Sequence, residues 1–182
     1  MSVVETLQVP GPWTIAERDQ LPDDGHRYEL VDGTLLVNAA PAPDHQEVGL
    51  RLWQLLDAGA PVELRVLTAP LDVVLADDTV VEPDVVVGRR ADFTGKNLPA
   101  VPLLVVEVLS PSTQVIDRNM KLERYQRAGI PSYWIVDPEA LRLVAHELVD
   151  GRYVEVADVS GPGSWTAERP FPVTITPAAL LR

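Results

Sequence analysis

The sequence predicts an α/β or α+β domain built on a mixed central β-sheet. Three observations carry this. The run Pro102–Leu109 is almost continuously apolar, the pattern of a strand buried on both faces. A helical stretch and a second apolar strand, Ser132–Val136, follow it directly. Asp-Gly pairs at 32–33 and 150–151, each between strand-like runs, mark two-residue hairpin turns. The 182 residues, read as one domain over 1–182 with a core at about 14–175, suffice for a single hydrophobic core.

The elements follow in order. Thr14 with Glu17 three positions on forms a capping box for a short helix over 14–20. Arg27–Val31 and Thr34–Val37 are the strands of the first hairpin. Asp44 caps a helix from His45 to about Asp57, with Val48, Leu52, Leu55 and Leu56 on its apolar face. Short β-like runs come next at Val62–Leu67, Leu71–Leu75, Val80–Val81 and Asp84–Val87. After the central strand, Ser110–Thr113 leads into a helix over Gln114–Ala128, stopped by Gly129 with Pro131 beyond. Ser110 and Ser112 read as turn and N-cap residues. Leu141–His146 and Arg152–Val156 form the last hairpin.

Composition removes several function classes. With no cysteine there is no disulfide, thiolate metal site or cysteine nucleophile. No apolar stretch reaches the roughly 18 residues that span a bilayer. The first thirteen residues lack a basic and an apolar leader segment, so a cytoplasmic protein is expected. Glycine loops of the nucleotide-binding kinds, a Gly-x-Ser-x-Gly elbow and zinc-type histidine spacing are all absent. The net charge is −12, which opposes contact with a phosphate backbone. The acidity is unevenly spread, however. Residues 84–131 hold seven basic and five acidic residues, a local +2 against −14 elsewhere.

The chemistry lies in Val-Glu-Pro-Asp-Val-Val-Val at 81–87 and Leu-Val-Val-Glu-Val-Leu at 104–109. Asp84 and Glu107 each sit in or beside an apolar strand, where an ionised carboxylate needs a partner, a proton or a metal. Two carboxylates from neighbouring strands suit Mg²⁺ or Mn²⁺. The same pattern also reads as Asp84 at a strand start and Glu107 paired with a base from the following helix.

The run EVLSPSTQVIDRNMKLERYQRAGIPSYWIVDP at 107–138 resembles the signature of the Uma2 family, also called DUF820. Tyr28-Glu29-Leu30-Val31-Asp32-Gly33, Asp44-His45-Gln46 and Glu82-Pro83-Asp84 match the same pattern. The resemblance covers roughly residues 14–175. It implies a restriction-endonuclease-like fold of the PD-(D/E)XK superfamily: a mixed sheet flanked by helices, with added hairpins. It also implies Mg²⁺- or Mn²⁺-dependent cleavage of nucleic acid, most naturally DNA; the acidic charge and the Leu109 in place of a lysine support the alternative, a catalytically inactive nuclease-fold binding or assembly module. RNA or another phosphodiester remains open as substrate.

Carried onto this chain, the family pattern makes Asp84 and Glu107 the catalytic acids and metal ligands, joined by the Val108 carbonyl. The lysine expected two residues after Glu107 is missing, and Leu109 stands there. Lys121 in the next helix is the replacement, in one column with Asp117 and Tyr125. The plain alternatives are a surface Asp117–Lys121 pair and a packed Tyr125. Glu29 is either a third carboxylate at the metal or an exposed strand residue, and His45 reads as a surface group at a helix start. Nucleic acid is expected to meet the 84–131 segment, and a homodimer would bring two sites to one duplex.

Overall fold

The apolar run around Val106 becomes an interior strand of a six-stranded sheet, as burial on both faces requires. The structure, a computed structural model, describes residues 7–38, 40–111 and 113–181. Its first part contains β1 (Leu7–Val9), α1 (Ile15–Arg18), β2 (Arg27–Val31), β3 (Thr34–Asn38) and α2 (Pro43–Gly59). Then follow β4 (Leu64–Thr68), β5 (Val73–Ala76), β6 (Thr79–Val81), β7 (Val85–Arg89) and β8 (Leu104–Val108). A π-helical segment, Ile116–Lys121, runs directly into α3 (Leu122–Ala128). The remainder comprises β9 (Ser132–Asp137), β10 (Arg142–Val149), β11 (Arg152–Ser160), β12 (Trp165–Ala167) and β13 (Val173–Ile175).

The large sheet runs β11-β10-β9-β8-β7-β4, and β8 with β9 is its parallel pair. A five-stranded sheet runs β1-β3-β2-β6-β5, and β12 pairs with β13. One face of the large sheet carries Val85, Val87, Leu104 and Val106, covered by Val48, Leu52 and Leu56 of α2. The other carries Val86, Val105 and Ile135, covered by Tyr125 of α3 and by Val31, Leu36 and Val81 of the smaller sheet. Glu107 lies two residues beyond Val105 on a strand and so faces the second core, between sheet and sheet.

The local signals account for most elements. The capping box at Thr14 and Glu17 is formed, through contacts of 2.8 and 3.2 Å. Asp32 and Gly33 both have positive φ (48° and 73°), as a tight turn of this twist needs. Gly129, at φ 79°, ends α3 in the left-handed conformation.

Three expectations change. Helix α2 starts earlier than predicted, with Ala42 as its N-cap and no side-chain cap, because Pro43 is pre-set for the first turn. Leu55 faces solvent at 40 % exposure, since the buried stripe follows 45, 48, 49, 52 and 56. The helix over 114–128 widens into a π-turn through its first half. Ser112 and the first six residues lie outside the described residues. Among the described residues, no helix is long and apolar enough to cross a membrane.

Candidate active site

Antiparallel pairing sets Val85 opposite Val106 and Val86 opposite Val105. One further step along that register puts Asp84 across from Glu107 on the same face. Asp84 comes just before β7, behind Pro83, so its backbone has left the ladder while its side chain stays inside. Its Oδ2 accepts from the Val108 N–H at 2.9 Å and lies 3.2 Å from His45 Nε2. Arg27 approaches Oδ1 at 3.4 Å. Burial raises the Asp84 pKa, but His45, Arg27 and the Val108 amide outweigh it and hold the carboxyl below the ordinary range. A strand residue's N–H and C=O leave on one side, so the Val108 carbonyl belongs to the Asp84 edge.

Glu107, one residue from the end of β8, receives two donors on one oxygen. Tyr125 donates its hydroxyl to Oε1 at 2.6 Å, and Lys121 Nζ stands 3.1 Å from the same atom. Among the described residues Oε2 has no such partner. Burial pushes the Glu107 pKa up to about 8; the Lys121 charge opposes this, while Asp117, Asp84 and Glu29 add to it.

Lys121 is 5 % exposed and reaches three carboxylates, Glu29 at 2.9 Å, Glu107 at 3.1 Å and Asp117 at 3.7 Å. Burial pulls its pKa down, yet those three charges prevail and hold it well above the ordinary lysine value. It is therefore a fixed positive charge. The surface-pair reading of Asp117 and Lys121 fails, because both are buried. So does the reading of Tyr125 as mere packing, since its hydroxyl is aimed at Glu107. Leu109, where the lysine was expected, packs into the second core at 6 % exposure.

Glu29 also comes to this point, from β2 in the other sheet, but both its oxygens are engaged. Oε1 takes Lys121 and the Glu82 N–H at 2.8 Å, and Oε2 takes the Asn38 amide at 2.7 Å. Its geometry anchors the lysine. His45 is buried rather than on the surface, and the helical spacing of 45, 48 and 52 already carried that signal. Arg27 shares a strand face with Glu29 by the same kind of argument, with period two.

Among the described residues, no three or more His, Asp or Glu side chains converge to hold a metal ion. The available donors are fewer: Asp84, Glu107 Oε2 and a main-chain carbonyl. Around them Glu29, Asp84, Glu107 and Asp117 face two fixed cations, Lys121 and Arg27. Four carboxylates thus share two cations, and burial first, with the neighbouring Asp117, Asp84 and Glu29 charges adding to it, raises the Glu107 pKa to about 8. An oxygen donor set with such a deficit fits a small divalent cation.

The local +2 does not form one patch. Lys121 and Arg124 are buried, and Arg89 ends β7, with Arg90 after it, at the end away from Asp84. Arg118 and Arg127 face Asp137 and Asp32.

The sequence pattern of a family named Uma2, described as "Putative restriction endonuclease", matches residues 15–180. A crystal structure from Anabaena variabilis, titled as that of a putative nuclease belonging to DUF820, shares the fold with a TM-score of 0.69. The two chains are 16 % identical over 87 % of this chain and 90 % of that one. No curated protein matches in sequence.

Proposed function

The chain belongs to the Uma2 family, and on that premise we propose that it is a divalent-metal-dependent endonuclease acting on nucleic acid, DNA first. The observation that carries this is the convergence of Asp84, Glu107 and Lys121 at the strand ends, with one Glu107 oxygen left without a partner among the described residues. Asp84, Glu107 and the Val108 carbonyl would hold Mg²⁺ or Mn²⁺, which when bound supplies charge neutralisation at the phosphate and a more acidic water.

The chain's own residues do the rest. Tyr125 and Lys121 hold Glu107 by one oxygen, fixing the direction of the other. His45, Arg27 and the Val108 amide keep Asp84 ionised and oriented. Lys121, charged and pinned by Glu29, places a positive group beside the developing negative charge of the phosphate. The uncapped start of the 17-residue helix α2, next to His45, adds a field that favours an anion there.

Purified protein is expected to nick plasmid DNA with Mn²⁺ or Mg²⁺ and to stop when EDTA is added. Asp84→Asn and Glu107→Gln each lower the rate at least a hundredfold. Cutting that persists in EDTA, or is unchanged in either variant, overturns the assignment. A protein that binds DNA and Mn²⁺ but never cuts is the non-catalytic module instead.

A further inference from the structure

Asp84 opens onto a cavity of about 380 Å³ between α2 and the loop Thr68-Ala69-Pro70. Arg27 and His45 flank Asp84 in its lining, and Pro41, Leu50 and Pro70 form apolar walls. Gly49, in the second turn of α2, also lines it.

Gly49 is the informative residue. A glycine inside a helix weakens it, so it is usually kept for a turn or for close packing. Neither applies here, because a Cβ built at Gly49 would meet nothing within 4 Å. At Gly88, by contrast, a Cβ would stand 3.1 Å from Phe93, and the protein's own packing accounts for the glycine. What Gly49 preserves is volume in the cavity beside Asp84.

The cavity also has a donor to spare. Arg27 lines the cavity with its side chain 23 % exposed, and among the described residues its Nη1 makes only the long 3.4 Å contact to Asp84. A guanidinium in that condition is suited to a phosphate oxygen. On the other side of His45 lies a second cavity, about 470 Å³, lined by Asp44, Asp137 and Glu139, with no lysine or arginine among the described residues of its lining. The Arg27 side therefore carries the cation that a phosphate needs.

Resting on the nuclease reading above, we propose that the Gly49 cavity is a subsite for one nucleotide of the substrate strand, adjoining the phosphate that is cut. The phosphate lies against Arg27, and the sugar and base lie on Pro41, Leu50 and Pro70. A volume of about 380 Å³ is on the scale of a single nucleotide, and the proposal places one unpaired nucleotide of the strand there.

The test is binding of a single-stranded hexathymidylate and of thymidine 5′-monophosphate to the metal-free protein in EDTA, by calorimetry. Wild type is expected to bind the hexamer. Gly49→Leu, which fills the cavity, is expected to weaken it at least tenfold while keeping the circular-dichroism spectrum and without lowering the melting temperature. Leu50→Glu, a change at a 56 % exposed rim position that folding tolerates, is expected to weaken it several-fold through repulsion. No hexamer binding by wild type, or equal binding by both variants, overturns the proposal. Monophosphate bound as tightly as the hexamer overturns the strand assignment in favour of a free nucleotide. A Gly49-dependent hexamer site in a protein that cuts nothing with Mn²⁺ sustains the subsite and overturns the nuclease reading. Cutting and binding that Gly49→Leu leaves untouched do the reverse.

Discussion

Lys121 stands closer to Glu29 than to Glu107, 2.9 against 3.1 Å, although Glu29 lies in the other sheet and 92 positions away. The ammonium is thus shared between a carboxylate with both oxygens satisfied and one with an oxygen to spare. Lys121 ties the two sheets together as well as serving the site.

Removing that charge leaves Glu29, Glu107 and Asp117 buried without their common partner. Lys121→Met is expected to destabilise the fold by about 3–5 kcal/mol, the usual result of breaking a buried pair from one side. Chemical denaturation measures it. A loss below about 1 kcal/mol contradicts the buried arrangement.

Glu107 gives the metal-free protein a pH dependence of definite sign. Its pKa rises from 4.5 to about 8 on folding, so the folded state binds the extra proton between those values. Stability is then fully present at low pH and falls as pH climbs toward 8, with a slope of up to roughly 1.4 kcal/mol per pH unit. Glu107→Gln removes this slope and stabilises the protein at pH 8. Denaturation curves of both proteins at pH 5, 6.5 and 8 decide it; parallel curves refute it.

Tyr125→Phe deletes one hydroxyl and leaves the ring in place. The 2.6 Å donor to Glu107 is lost inside the core, at an expected cost of about 1–3 kcal/mol. The spare Glu107 oxygen also loses its fixed direction. Nuclease activity should therefore drop by more than the loss of folded protein explains, which rate measurements on the folded fraction report.

Two glycines should respond with opposite signs. Gly49→Ala adds a methyl to an open helical position and is expected to raise stability by about 1 kcal/mol. Gly129→Ala forces a side chain into φ 79° and is expected to lower it by about 1 kcal/mol. Thermal melts of the two variants give both signs at once.

The strand positions of the site were readable because β-structure repeats every two residues and burial marks its exceptions. Asp84 and Glu107 stood out as charges in apolar runs, and Tyr28-Glu29 as a charge beside a hairpin turn. The lysine's relocation to 121 was readable only as spacing. It stands at the end of a π-helical segment, which no periodicity in the sequence announces. His45 was misjudged because a helix start is commonly exposed, yet its spacing to Val48 and Leu52 pointed inward. Arg27 and Asn38 come from register across a hairpin, and the choice between engaged and spare carboxylate oxygens is made only in three dimensions. The small β12–β13 pair had no clear pattern at all.

The order in which the centre's parts occur along the chain has a consequence during synthesis. Glu29, Asp84 and Glu107 are all made before Lys121 and Tyr125, and the first of them rests in a different sheet from the others. A growing chain therefore holds its acidic groups without the cation that gathers them. On the nuclease reading, an unfinished or truncated polypeptide ending before residue 121 is harmless to the nucleic acid around it, and the cutting centre exists only once both sheets have met.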